Sequence, residues 1–203
     1  NISFYGHLDH LYGGYASLAM KKINSELLNN LGKNDIRRKW WNNDLTNNKF
    51  RFPDLNNPYD YDYIWMRHEE MILIEAEAEC RLGNDSKASS ILETLIRTRD
   101  SEYSCGKTGT DIGELTSDRT GSLLEEIIIQ RRIELWGEAG RIHDIRRLKQ
   151  GFKRTIEQGW PENALLEDKN VSNPESYDWV LTIPQSAFDK NPSLDPNVDQ
   201  NPY

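Results

Sequence analysis

Apolar residues along this chain change their spacing several times, and each change marks an element. Met20, Ile23, Leu27 and Leu31 recur at three- and four-residue steps, which line one face of a helix, so a helix is expected within residues 18–31 with Gly32 as its stop. From Arg67 onward, Met71, Ile72, Leu73, Ile74, Ala76, Ala78, Cys80 and Leu82 make a helix apolar around most of its circumference, ending at Gly83. Such a helix must be covered on more than one side. Asn84 or Asp85 can cap a second helix in which Ala88, Ile91, Leu92, Leu95 and Ile96 form one buried face, and the short connection predicts an antiparallel hairpin. Ser122-Leu-Leu-Glu125 is a capping-box pattern ahead of Leu123, Leu124, Ile127, Ile128 and Ile129, so a third helix is expected to reach Trp136. Gly137 and Gly140 interrupt it before a short helix built on Ile142, Ile145 and Leu148, with Arg141, Arg146 and Arg147 on its other sides.

Elsewhere periodicity fades. Residues 39–63 mix aromatics with Asn, Asp and Pro and read as exposed, structured loop. The tail beyond Gly151 is rich in Pro, Asn and Asp, with one short strand expected at Trp179-Val-Leu-Thr-Ile183; being too irregular to fold alone, it is expected to lie along the helical body. The fold class is therefore mostly α with long loops and little β. Residues 1–66 form a loop-rich segment with one helix and residues 67–203 a helical region with an extended tail, expected to make one structural unit of a longer protein. The hairpin resembles a tetratricopeptide unit, but at least about three such units make a stable array.

Composition narrows the function. An apolar fraction of 36% with 29% charged residues describes a folded but polar chain, and the net charge of -8 repels phosphate backbones, so nucleic acid is not an expected partner. No stretch reaches the roughly 20 apolar residues that cross a bilayer. Asn1-Ile2-Ser3 is neither an initiator methionine nor a signal peptide, so a processed or truncated amino terminus is expected. The two cysteines, Cys80 and Cys105, permit one disulfide, although a buried free thiol suits the helical position of Cys80 better.

Three stretches taken together resemble the SusD/RagB family: Arg67-His-Glu-Glu-Met-Ile-Leu-Ile-Glu-Ala-Glu-Ala-Glu-Cys-Arg-Leu-Gly83, Gln130-Arg-Arg-Ile-Glu-Leu-Trp-Gly-Glu-Ala-Gly-Arg-Ile-His-Asp-Ile-Arg-Arg147, and Ile183-Pro184 followed by Asn201-Pro-Tyr203. Asp35-Ile-Arg37 also looks like the family's Asp-x-Arg element. Gln130 stands where the family often has Glu, which weakens one expected ion pair, and the Asn-Pro-Tyr end departs slightly from the commonest form. The resemblance corresponds to the family's carboxy-terminal region. It implies a helical SusD-like fold, no catalysis and no cofactor. It further implies capture of an oligo- or polysaccharide, or a similar nutrient, for a SusC-like, TonB-dependent outer-membrane transporter. Location would be the bacterial cell surface, with membrane attachment only through an amino-terminal lipid.

The residues themselves suggest where ligand chemistry could sit. Sugars are held by aromatic faces with amides and carboxylates nearby, and loops supply these better than packed helices. Trp40, Trp41, Asn43 and Asp44 form the richest such stretch, with Phe50, Phe52, Tyr59, Tyr61 and Tyr63 after it; Tyr12 and Tyr15 flank a second candidate loop. The bland alternative is that these rings pack over the helical body. Trp136 and Trp179 sit in apolar surroundings and are expected in the core. Arg131, Glu134, Glu138, Arg141 and Asp144 read as a structural charge cluster: Glu134 and Glu138 face Arg131 and Arg141 at helical spacing, and Arg141 with Asp144 could pin the loop between two helices. His7, His10, His68 and His143 make no zinc box; residues 54–62 and 195–199 offer oxygen ligands without EF-hand spacing, so no metal is assigned. Two other classes stay open: a helical-repeat module binding protein or peptide, resting on the hairpin, and a glycoside hydrolase, which needs only two placed carboxylates.

Overall fold

The computed structural model describes residues 23–41, 66–138 and 140–200. Its helices are α1 (Ser25–Asn29), α2 (His68–Arg81), α3 (Asp85–Ile96), α4 (Leu123–Glu134), α5 (Arg141–Arg147) and α6 (Gln185–Lys190), and no strand forms among the described residues. A 3-10 turn, Ile36–Trp40, follows α1. Among the described residues no helix is long and apolar enough to cross a membrane. Two compact units emerge: Asn1–Ile112 with Arg119–Arg141 and Glu157–Gly159, and Gly113–Asp118 with Ile142–Ile156 and Trp160–Tyr203.

In the first unit, α2 and α3 form the expected antiparallel hairpin, and α4 packs chiefly on α2. Gly83, at φ +80°, supplies the left-handed residue that turns α2 into α3. Leu73, Ala76 and Cys80 of α2, Ala88, Leu92 and Ile96 of α3, and Leu123, Leu124 and Ile127 of α4 are all essentially inaccessible. The α2 circumference is not wholly covered by the described residues: Met71, Ile74 and Leu82 stay exposed. The capping box at α4 is real but shared out differently. Ser122 Oγ accepts the Glu125 N–H at 3.0 Å, while the Glu125 carboxylate accepts from Gly121 N at 2.7 Å and Thr120 N at 3.1 Å rather than from Ser122 N.

A smaller core lies beside this one: Ile23, Leu27, Leu28, Leu31 and Trp41 pack with Ile129 and Ile133. The helix expected to end at Gly32 ends at Asn29, with Asn30 as its C-cap. Gly32 has another reason to be glycine, since a Cβ there would lie 2.0 Å from the Asp100 carboxylate. Both cysteines are buried and free; burial, then the Asp85 carboxylate, pushes the Cys80 thiol up.

The second unit is built on loops. Leu115 and Gly151 form a parallel bridge, in which Gly151 N donates to Glu114 O at 2.7 Å and Thr116 N to Gly151 O at 2.9 Å. A Cβ at Gly151 would lie 1.9 Å from the Ser172 carbonyl oxygen, so only glycine fits. The Arg154 guanidinium lies 3.8 Å from the Trp160 ring centroid and 5.0 Å from that of Phe152, and Phe152 meets Trp179 edge-on at 6.2 Å. The strand expected at residues 179–183 does not form. Trp179 closes a 3-10 turn, Tyr177–Trp179, and the Gln200 amide bonds both the N–H and the C=O of Ile183 at 2.9 Å, standing in for a neighbouring strand. Leu181 is 92% exposed.

Candidate functional site

The expected ligand loop begins where the 3-10 turn ends. Asp35 starts that turn by accepting the Arg37 N–H at 2.9 Å. Trp41, at φ -107° and ψ 151°, breaks the turn into extended backbone. The alternation separates the two indoles: Trp41 drops into the smaller core, 1% exposed, while Trp40 packs against that core and stays half-buried. Their centroids lie 5.8 Å apart at 56°, and Trp136, also half-buried, meets Trp41 edge-on at 5.7 Å and 88°. Trp41 is thus the buried centre of a three-indole step whose outer members, Trp40 and Trp136, keep accessible surface. Trp136, expected in the core, lies only partly there, as does Trp179 in the second unit. The Trp41 indole N–H donates to no acceptor among the described residues, an uncommon state for so buried a donor. Tyr12, Tyr15, Asn43 and Asp44 lie outside the described residues.

Beneath the turn is a buried charge network. Arg37, 0% exposed, donates to Asp35 at 2.7 Å, to Glu134 at 3.1 Å and to Gln130 at 2.8 Å. Arg67, at the N-terminus of α2, pairs with Glu134 at 3.3 Å and Glu138 at 2.9 Å, and also donates to the Glu134 carbonyl. Arg99, just past α3, pairs with Glu134 at 2.9 Å and Glu69 at 3.0 Å. Hydrogen bonding to its own backbone holds the Glu69 carboxyl below its ordinary value, with Arg67 and Arg99 adding to the effect against the cost of burial. Of the charge cluster expected on α4, Glu134 takes its partners from outside its own helix. Glu134 pairs with Arg37, Arg67 and Arg99 rather than with Arg131 or Arg141, because it points inward among three other elements instead of along its own helix. Arg131 pairs with Glu70 at 2.6 Å, and Asp144, in the second unit, with Arg147 at 2.8 Å.

Gln130 takes on two tasks that a glutamate could not combine. Its carbonyl accepts from Arg37, and its amide donates to Glu126 at 2.9 Å. Burial works to raise the Glu126 pKa, but hydrogen bonds from Lys107, Gln130 and Tyr103 hold it below the ordinary value of 4.5. Tyr103, which donates to that carboxylate at 2.9 Å, is pushed up by burial and by the Glu126 charge.

Sequence spacing missed Arg37, Arg67 and Arg99 as partners of Glu134, since they lie 97, 67 and 35 residues away from it. The one available hint was Asp35-Ile-Arg37 beside a helix stop. Among the described residues, no group of His, Cys, Asp and Glu is placed to hold a metal ion. Asp195 and Asp199 instead accept backbone N–H groups of their own turn. Glu134 and Glu138, which flank Trp136 in sequence, are both engaged by arginines.

The model of the SusD family matches residues 20–203. The SusD-like protein P2 of Formosa agariphila is 30% identical over 138 residues, covering 67% of this chain and 25% of that protein. A crystal structure of a SusD-like carbohydrate binding protein from Bacteroides vulgatus superposes with a TM-score of 0.60 at 24% identity, over 94% of this chain and 44% of that one. The chain thus spans a quarter of that relative and under half of that solved structure.

Proposed function

The chain belongs to the SusD family, and on that premise we propose that it serves a non-catalytic protein that captures glycans at the bacterial cell surface and hands them to a SusC-like, TonB-dependent outer-membrane transporter. The observation that carries this reading is the indole step: Trp40 is half-buried, backed by a fully buried Trp41 and flanked by Trp136. A ring fixed from below loses little conformational entropy when a sugar ring lies on it. In this reading Trp40 touches the ligand, Trp41 positions it, and Tyr12, Tyr15, Asn43 and Asp44 supply the surrounding loop contacts. The similarity to a solved SusD-like carbohydrate binding protein supports the ligand class. Capture and hand-off involve no bond cleavage, and attachment to the outer membrane is through an amino-terminal lipid.

The test is a glycan-array and calorimetry screen of the full-length protein, alone and with its transporter. At least one oligosaccharide is expected to bind, and Trp40→Ala to weaken that binding about tenfold or more. Binding of no saccharide by an intact transporter complex would refute the proposal.

One observation favours a second reading, a module binding protein or peptide. Met71 and Ile74 of α2, with Leu82 capping its end, leave exposed apolar surface along that helix. That reading expects a soluble peptide partner whose capture is unchanged by Trp40→Ala and Trp41→Ala. A hydrolase, by contrast, would show turnover abolished by substitution of one Asp or Glu.

A further inference from the structure

Residues 146–154 concentrate positive charge. Arg146, Arg147, Lys149, Lys153 and Arg154 fall within nine positions that hold no Asp or Glu, on a chain of net charge -8. Arg147 pairs with Asp144 at 2.8 Å, and the other four meet no carboxylate among the described residues. Arg154 is the one whose place is fixed most firmly. Its guanidinium lies 3.8 Å from the Trp160 ring centroid and 5.0 Å from that of Phe152, and its Nη1 donates to the Ala164 carbonyl at 2.9 Å. Of its remaining donors, Nε is buried and unpartnered, and Nη2 likewise finds no acceptor among the described residues. Burial holds the Arg154 pKa below its ordinary value, yet a guanidinium stays charged at neutral pH.

The rings beside Arg154 lead on to a second arginine. Phe152, whose N–H donates to Val171 O at 2.8 Å, meets Trp179 edge-on at 6.2 Å. Trp179 is held twice: its indole N–H donates to Asn173 O at 3.1 Å, and its carbonyl accepts from Arg146 Nη1 at 2.7 Å. Direct contacts thus connect Arg146, Trp179, Phe152, Arg154 and Trp160 within the second unit, with all three rings half-buried and Arg146 exposed. Stacking on a ring uses the face of a guanidinium and leaves the donors at its edge, so the ring contacts account for the position of Arg154 but not for its unused Nη2. Ring surface and charged donors side by side are what an acidic saccharide engages, with C–H faces on the rings and paired oxygens on the guanidinium.

We infer that the connected residues from Arg146 to Trp160 form a second saccharide subsite, in which Arg154 and Arg146 take the carboxylates or sulfate esters of an acidic glycan and Trp160 and Trp179 lie against its sugars. This rests on the glycan-capture reading and narrows its ligand class, but it needs nothing from Trp40. Two arginines separated by rings suit a chain with repeated charges better than a single small anion. The net charge of -8 confines attraction for anions to such a local concentration and disfavours a nucleic acid as the occupant.

The test is calorimetry on the full-length protein with a galacturonate hexasaccharide, a sulfated galactan hexasaccharide, a neutral glucan hexasaccharide and tripolyphosphate, which carries charge without a sugar. At least one acidic hexasaccharide is expected to bind more tightly than both the glucan and tripolyphosphate, with a preference that shrinks as salt is raised. Arg154→Gln should lower the ratio of acidic to neutral affinity about tenfold, and Arg154→Lys, which keeps the charge but not the fork, should lower it less. Arg146→Gln, at an exposed position, should lower it about threefold. Should Arg154→Gln lose its cooperative melt, Arg154→Lys and Arg146→Gln decide. Glucan or tripolyphosphate bound as tightly as the acidic hexasaccharides, or a ratio that no substitution at Arg146 or Arg154 moves, would overturn the inference while leaving glycan capture standing. If no saccharide binds at all, the proposed function falls first and the inference falls with it.

Discussion

Replacing Arg37 by Met tests whether the charge network holds the first unit together. The substitution keeps an unbranched chain of similar length but removes the guanidinium bonds to Asp35 at 2.7 Å, Glu134 at 3.1 Å and Gln130 at 2.8 Å. Glu134 retains Arg67 and Arg99, so most of the cost falls on Asp35. That residue is 4% exposed and would keep only the backbone N–H of residue 37. Leaving a buried carboxylate without its partner costs about 3–5 kcal/mol. For a chain of this size, roughly 2–4 °C of melting temperature per kcal/mol gives a drop of about 6–20 °C. Urea and thermal melts followed by circular dichroism would measure it, with Arg81→Ala as the exposed reference, expected to change stability by no more than about 1 kcal/mol. Adding Asp35→Asn to Arg37→Met removes the stranded charge and should recover at least about 1 kcal/mol. The reasoning is refuted if Arg37→Met costs no more than Arg81→Ala, or if the second substitution only adds to the damage.

Other expectations follow from single contacts. Ile127→Ala, at a fully buried site, should cost about 2–5 kcal/mol in urea denaturation. Gly151→Ala drives a Cβ into the Ser172 carbonyl and should destabilise the second unit by about 1–3 kcal/mol, seen as faster limited proteolysis of the tail, whereas Gly32→Ala meets a side chain that can move and should cost less. The folded-state pKa values of Glu126 and Glu69 both lie below 4.5, so their contribution to stability is complete above about pH 4.5 and is lost as pH falls toward those lower values. A urea midpoint that stays flat from pH 7 down to pH 3 would contradict this. Gln130→Glu replaces the amide donor to Glu126 by a second carboxylate and should lower stability at pH 7 more than at pH 4, read from the same midpoints.

The helices between residues 68 and 147 were legible because their signals are local, whereas α6, Gln185–Lys190, was not expected in the irregular tail. The α2–α3 hairpin, the Ser122 cap and the α5 start depend on spacing and caps within a few residues. What failed depended on distant chain. Glu134 and Arg131 look from sequence like members of a surface ladder at helical spacing, yet both are buried and paired with residues outside their helix. The apolar run at residues 179–183 has the composition of a strand, but Gln200 satisfies Ile183 from 17 residues away and no ladder is needed. Trp40 and Trp41 are alike in sequence but differ in burial, half-buried against fully buried, because one residue separates a 3-10 turn from extended backbone.

Burying so many charges on α4 needs a reason other than stability, since well-packed apolar residues would serve as well or better. The geometry of the bonds suggests one. Glu134 is reached by arginines from the 3-10 turn, the start of α2 and the end of α3, and charge-assisted hydrogen bonds fix direction where apolar contacts would allow sliding. The turn is further tied to the α3 end by Ile36 N donating to Arg99 O at 3.0 Å. Arg37 lies only three residues before Trp40, so the network sets the backbone from which the outer indole projects. Under the proposed function, damage to Glu134 would therefore reach the ligand through the position of Trp40 without any contact to the ligand itself. The motifs that identify the family are, in this chain, the base that aims its candidate binding surface.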